Sequence, residues 1–202
     1  ATNSKSSEET GLNIGIPITY RAGDQPNNAL ALNVFDNGEV AASGGTSGVI
    51  YSITNDINSK EPSRINHFAH VNYNDNNKSI GKLLCINGAG IQYRWLRNHS
   101  VGKSYEKMNE AASSIPVGSE GISVIPFGNG AERMLNNKNV GTHICNINLN
   151  QHSHGHLYRS SLEGIAFSFM YGMEILKNDN ALINVIRAGN DNIKRKQTLE
   201  TF

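Results

Sequence analysis

A glycine-rich break between two strand-like runs constrains this chain more than any other feature. Residues 39–43 and 49–54 both read as strands, and the second (Val49-Ile50-Tyr51-Ser52-Ile53-Thr54) is rich in β-branched and aromatic side chains. Only Gly44-Gly45-Thr46-Ser47-Gly48 separates them. Strands joined by so short a link must lie antiparallel, so residues 39–54 predict a hairpin.

The rest of the chain arranges itself around that hairpin. Ile16 to Ala22 predicts a strand ending in Gly23-Asp24, and Pro26 to Phe35 a helix with proline in its first turn. Asp36-Asn37-Gly38 is turn chemistry. His67 to Tyr73 alternates and predicts a third antiparallel strand. Ile80 to Asn98 predicts one helix, because Leu84, Gly88, Ile91 and Trp95 fall three or four residues apart, with Trp95 as a core aromatic. Lys103 to Ala112 reads as a more polar helix and Ile122 to Phe127 as a strand. Gly155 to Asn178 predicts a long helix, apolar nearly all round and therefore buried. Leu182 to Arg187 is a last strand aimed at Ala188-Gly189-Asn190, and Ala1 to Thr10 is a frayed polar lead-in. Strands in this order with helices between them predict an α/β fold with a mixed sheet flanked by helices.

Composition removes several function classes. A formal charge of +1 over 202 residues gives no basic face for nucleic acid or anionic lipid. The longest apolar stretches, such as Ile165 to Met170, are too short to span a bilayer. Cys85 and Cys145 lie far apart in apolar or mixed runs, which reads as buried thiols in a reducing, cytoplasmic setting. Asparagines crowd at Asn55, Asn58, Asn72, Asn74, Asn76 and Asn77, the chemistry of loops. His143, His152, His154 and His156 lack an adjacent cysteine or acidic ligand pattern and read as a polar helix lead-in, so no metal ligand is assigned. Glu163, inside the long helix, needs a partner, and Arg133 is the candidate.

Chemistry concentrates in the loops at strand ends. Gly23-Asp24, Gly44 to Gly48 and Gly189-Asn190 let backbone N–H groups approach an anion with no Cβ in the way. The hairpin turn is the best phosphate cradle, since Thr46 and Ser47 add hydroxyl donors, although any tight hairpin also needs such glycines. It is neither a Walker motif nor a G-x-G-x-x-G dinucleotide fingerprint. Asp24 suits a helix cap, and the same carboxylate suits a base for an attacking hydroxyl.

Five ordered blocks then carry a resemblance: Ala22-Gly23-Asp24-Gln25; Gly45-Thr46-Ser47-Gly48; Gly88-Ala89-Gly90-Ile91-Gln92 with Trp95-Leu96-Arg97; Ile125 through Arg133; and Leu157 through Phe167, with Ile186-Arg187-Ala188-Gly189 following. In this order they resemble the FGGY carbohydrate kinases, most of all the xylulokinases, across nearly the whole chain. The resemblance implies a ribonuclease-H-like domain of the actin and hexokinase superfamily. It implies Asp24 as catalytic base and Gln25 beside the sugar. It puts ATP phosphates at Gly45, Thr46 and Ser47, and the nucleotide near Gly88, Gln92, Gly189 and Asn190. It also implies Mg²⁺ on the phosphates, a ketose acceptor such as D-xylulose, and a homodimer as a compatible assembly.

The family's domain plan makes residues 1–35 the end of an N-terminal kinase domain with the catalytic Asp loop. Residues 36–202 become the C-terminal ATP-binding domain, cut short at its end. Where the family's late loop usually continues in glycine, Asn190-Asp191-Asn192 stand here, and Met134-Leu135 stand where Thr-Pro usually follows Glu-Arg. The competing reading is an actin-fold nucleotide-binding module without catalysis; Asp24-Gln25 favours the kinase, because merely holding ATP needs no acceptor-side base.

Overall fold

The computed structural model describes residues 1–18, 23–100 and 104–189. The predicted hairpin is the centre of the molecule: β1 (Glu39–Gly44) pairs antiparallel with β2 (Gly48–Thr54), from Val40 against Ser52 to Gly44 against Gly48. Every residue of β2 is buried, as a central strand requires. β3 (Ile65–Ala69) and β4 (Ile80–Ile86) extend the sheet on one side, and β7 (Val185–Gly189) joins β1 in parallel on the other. The order is β3-β4-β2-β1-β7, and a separate two-stranded sheet is made by β5 (Ser123–Phe127) and β6 (Gly141–Cys145).

Helices cover both faces. α2 (Asp24–Ala31) lies on one, where Ala29 and Val34 pack with Ala41, Tyr51 and Ile53. The 25-residue α5 (His154–Asn178) lies on the other, where Ile175 and Leu176 pack with Val40, Ile50, Leu84 and Ile86. Gly172 allows that approach, since a Cβ there would stand 2.7 Å from Ile50 Cδ1. The first half of α5 projects past the sheet and carries α3 (Gly90–His99) and α4 (Tyr105–Ser113) through a cluster of Tyr93, Leu96, Met108, Ala112 and Tyr158.

Several expectations are corrected. Residues 80–98 are not one helix: Ile80–Ile86 is β4, and a turn at Asn87–Ala89 precedes α3. β4 is buried on both faces, so its apolar residues run on without alternation, and the helical spacing of Leu84, Gly88, Ile91 and Trp95 is a coincidence across the junction. The third antiparallel strand starts at Ile65 and pairs with β4, whereas His70 to Tyr73 belong to the turn beyond it. α3 turns Gln92, Tyr93 and Leu96 inward and leaves Trp95 56% exposed. α5 is not buried all round, because Phe167, Met170 and Tyr171 form an exposed stripe. The last strand begins at Val185, and β6 carries no strong strand signal. Instead of fraying, the lead-in forms α1 (Ser4–Thr10), with Asn3 in a capping box and Gly11 left-handed at its end. Ile16 to Ile18 are irregular, and Thr19 to Ala22 lie outside the described residues.

Two ionic groups hold these parts in place. Lys82 of β4 and Asp179 after α5 are fully buried, 2.9 Å apart. The Lys82 ammonium also donates to the Asp179 and Asn58 carbonyls at 2.6 and 3.1 Å. Asp179 Oδ1 accepts from Ser59 Oγ and the amides of Lys60 and Glu61. Burial pushes the Asp179 carboxyl up, but Lys82 and these donors outweigh it and hold it below the usual aspartate value. Glu39, at the start of β1, accepts from the amides of Phe35 and Asp36 and from Arg187 of β7. The Phe35 amide and then Arg187 lower its carboxyl from 4.5 to about 2.

Removing one member of a buried ion pair strands the other charge. Lys82→Met and Asp179→Asn should therefore each cost roughly 3–5 kcal/mol in urea unfolding. The double variant should lose less than their sum, by about 1–3 kcal/mol. Glu39 has a depressed native pKa, so its contribution is full above its unfolded value of 4.5 and fades as pH falls toward about 2. Glu39→Gln should accordingly melt below the parent near neutrality, with the gap closing across that acid range.

Candidate functional site

Since β2 opposes both β1 and β4 while β7 parallels β1, the strands β1, β4 and β7 all end at one edge of the sheet. Carboxyl ends of strands in an open α/β sheet are where its ligand crevices form. Ser43 is the junction there. It pairs with Gly189 in the β1–β7 register, and its Oγ donates to Gln25 Oε1 at 3.4 Å. Gly44 and Gly48 face one another one step on, and Gly48 in turn faces Ile86, which leads into Gly88. Asp24, Gln25, the 44–48 turn, Gly88 and Gly189, distant in sequence, thus share one end of the sheet.

Asp24 is the first residue of α2, with Gly23 as its N-cap, and is exposed. Its Oδ1 accepts the Gln25 amide at 2.9 Å. Asp24 is therefore not the cap that its sequence position suggests: Gly23 takes that place, and Asp24 is an acid in the first turn that faces the helix dipole and meets one amide. The carboxylate is thereby held while still open to solvent.

At the hairpin tip, the Gly45 amide is committed to Ser47 O at 3.0 Å. Among the described residues, the amides of Thr46 and Ser47 have no acceptor. The tip is fastened to the start of α3. Thr46 O accepts from the Ile91 amide at 2.9 Å, and Gly90 lies so close that a Cβ would overlap the Gly45 carbonyl oxygen. Arg94, one turn into α3, reaches Thr46 Oγ1 at 3.4 Å. Two free amides, two hydroxyls and a guanidinium form a set of donors suited to a polyphosphate.

Gly88 plays a different part. Its amide donates to Glu132 Oε2 and that of Asn87 to Oε1, both at 3.1 Å, so the buried Glu132 braces this loop. A Cβ on Gly88 would overlap the backbone of Pro126 and Phe127, so close packing requires this glycine. Gln92 is also turned inward: its Nε2 donates to Ser161 Oγ of α5 at 3.2 Å, and its buried Oε1 has no partner. It forms part of a cavity of about 550 Å³ between α3 and the β5–β6 hairpin, with Ile91, Trp95, Thr142 and Ile144. Asn190 lies outside the described residues.

The Glu132 brace and this cavity were missed from sequence. The Gly130-x-Glu132-Arg133 element was the available signal for the first; the second needs the true phase of α3. Glu163 is paired, but with Arg159 Nε and Ser119 Oγ at 2.8 Å and the Gly118 amide at 3.0 Å. Arg133 instead reaches Asn66, because it leaves the β5–β6 unit on the side of β3. Burial pushes the Glu163 carboxyl up, and these donors outweigh it to hold it low. His156 accepts the Ser153 amide at 3.0 Å in the α5 capping box and lies 3.1 Å from Glu120. Among the described residues no cluster of three or more His, Cys, Asp or Glu could hold a metal ion. Cys85 and Cys145 are free thiols, and no described helix is long and apolar enough to cross a membrane.

The mixed sheet, the helices on its two faces and the loops gathered at one sheet edge define an α/β domain whose ligand crevice lies at the strand ends. Residues 40–189 match the FGGY family of carbohydrate kinases, C-terminal domain, and the chain belongs to that family. A xylulose kinase from Haemophilus influenzae is 25% identical over 177 residues, covering 88% of this chain and 34% of the relative. A gluconokinase from Bacillus subtilis is 27% identical over 177 residues, covering 80% and 33%. The xylulose kinase structure from Rhodospirillum rubrum superposes with a TM-score of 0.83 at 21% identity, covering 98% of this chain and 39% of that one. The Plasmodium falciparum glycerol kinase with ADP gives 0.77 at 21% identity, covering 91% and 37%. The chain spans about a third of the length of the curated relatives it matches.

If Gly90 fastens the tip by its bare α-carbon, Gly90→Ala must part α3 from the hairpin. The Ile91 amide should then exchange with deuterium at least about tenfold faster, a loss of roughly 1.4 kcal/mol of protection. Gly44→Ala, where no atom lies within 4 Å of the new Cβ, is the control and should leave Ile91 protected.

Proposed function

We propose that this chain is the ATP-side part of a carbohydrate kinase that phosphorylates a sugar hydroxyl, with D-xylulose as acceptor and D-xylulose 5-phosphate as product. The observation that carries this reading is the contact at Ser43, where Gln25, the neighbour of Asp24, is hydrogen-bonded to the strand that leads into the donor-lined hairpin tip and pairs with the end of β7. An acceptor-side carboxylate beside a polyphosphate cradle is what phosphoryl transfer to an alcohol requires. Family membership and xylulose kinase and gluconokinase relatives support the same class of reaction. In the domain plan, residues 1–35 lead in from a preceding kinase domain, and residues 36–202 are the ATP-binding domain.

Each residue has a part in the proposed mechanism. Asp24 accepts the proton of the attacking hydroxyl as the new O–P bond forms and the bond to the departing ADP breaks. Gln25 orients the sugar from the next position. Thr46 and Ser47 hold the phosphates through amides and hydroxyls, with Gly45 shaping the turn. Gly88 keeps the adjoining loop close, and Gln92 offers its unpartnered Oε1 to the nucleotide. Gly189 flanks the adenine or α-phosphate. Mg²⁺, arriving with ATP, neutralises phosphate charge.

The test is Asp24→Asn in the full-length protein, assayed with ATP, Mg²⁺ and a panel of ketoses and polyols. D-xylulose should be the best acceptor of the panel, and the variant should lose about 10²–10⁴-fold in kcat. Turnover above about a hundredth of the parent would remove Asp24 as the base, whereas a parent that binds ATP but phosphorylates no acceptor of the panel would favour a nucleotide-binding module without acceptor chemistry.

A further inference from the structure

We infer that Arg94 is a phosphate-binding residue of this site, pairing with the nucleotide beyond its α-phosphate. This rests on the reading of the hairpin tip as the phosphate cradle. The turn itself, Gly44-Gly45-Thr46-Ser47-Gly48, carries no charge: its free donors are amides and hydroxyls. A polyphosphate is a multiple anion, and neutral donors alone leave most of that charge uncompensated. Arg94 is the cation the structure sets beside them.

Its placement follows from how α3 is held. Gly90 and Ile91 are fastened to the tip through the Gly45 and Thr46 carbonyls, and Arg94 follows Gly90 by four residues and Ile91 by three, on the same side of the helix. The opposite side is locked. Gln92 is bonded to Ser161, the Tyr93 hydroxyl donates to Asn109 at 2.8 Å, and Leu96 is buried. The backbone under Arg94 therefore cannot rotate away, while its exposed side chain is free to reach.

The cation is also unspent. Among the described residues no carboxylate pairs with Arg94, and its hydrogen-bond partner is the neutral Thr46 hydroxyl at 3.4 Å. Arg97, the next arginine of α3, is by contrast engaged, lying 4.6 Å above the Tyr105 ring and donating to Asn98. A guanidinium at the long limit of a hydrogen bond to a hydroxyl gains strongly by exchanging it for a phosphate, which it can grip through two parallel N–H groups. Thr46 then serves as a resting partner that keeps the arginine at the site.

The test is calorimetric titration of the full-length protein with ADP and with AMP, for the parent and for Arg94→Ala, Arg94→Lys, Thr46→Ala and the double alanine variant. Arg94→Ala should weaken ADP about tenfold, leave AMP unchanged and leave the melting midpoint unchanged. Arg94→Lys should recover part of the loss, and Thr46→Ala should be non-additive with Arg94→Ala. If Thr46→Ala weakens ADP but Arg94→Ala does not, the arginine is excluded and the cradle stands. If neither variant alters ADP binding, or the protein binds no ADP, the cradle reading itself falls and Arg94 with it. Equal weakening of ADP and AMP, or a lowered melting midpoint, would make Arg94 a structural residue and overturn the inference.

Discussion

A lysine and an aspartate, both fully buried, decide how this domain closes. The Lys82–Asp179 pair joins the middle of β4 to the residue that ends α5, and through Asn58, Ser59, Lys60 and Glu61 it gathers the loop between β2 and β3. Two charges this deep are tolerated only because each is met by the other and by further hydrogen bonds. The chain leaves Asp179 through the left-handed Asn180 and enters β7 alongside β1. The parallel β1–β7 register and the Glu39–Arg187 pair then bring Gly189 beside Ser43, so the site depends on ionic contacts remote from it.

Glycines at the site act less as flexible hinges than as gaps that let backbone meet backbone. Gly90 admits the Gly45 carbonyl, Gly88 admits the Pro126–Phe127 backbone, and Gly164 admits Val124 of β5. Each close approach sets one backbone against another, tying the hairpin tip to α3 and the 87–89 turn to the β5–β6 unit. Glu132 adds to this by taking the two loop amides that would otherwise stay unsatisfied in a buried place. The amides left over at Thr46 and Ser47 are held in place by these contacts, which lowers the ordering cost of binding an anion, while the exposed Arg94 side chain stays free to reach it.

How legible each element was depended on where its partners lie. The β1–β2 hairpin, α4, β5 and α5 could be read because local chemistry specifies them: short glycine links, β-branched runs and long apolar periodicity. β4 could not, because a strand covered on both faces loses its alternation, and Gly81 stands second in it. That glycine makes room for the Tyr51 ring. Phasing α3 from Leu84, a residue of the preceding strand, turns Trp95 inward, whereas the true phase leaves it exposed. Glu163 was correctly read as needing a partner, yet the partner is one turn away on its own helix. The asparagine cluster behaves as expected in part: Asn74 accepts from the amides of Asn76 and Asn77, but the left-handed positions fall on Asn33, Asn136, Asn137, Asn146 and Asn180.

The sequence by itself determined the hairpin, the α/β class and, through ordered motifs, the family, because these rest on short-range chemistry that neighbouring residues carry together. It also singled out Asp24, Gln25 and the Gly45-Thr46-Ser47 turn as chemically distinctive. Only the tertiary structure decided that Gln25 meets Ser43 at the base of the hairpin tip, that the Gly88 amide is already taken by Glu132, and that Arg94 reaches Thr46 at that tip. Those facts depend on strand direction, helix phase and the close approach of distant backbones, and no local pattern of residues encodes which face a helix turns toward a loop formed forty residues earlier.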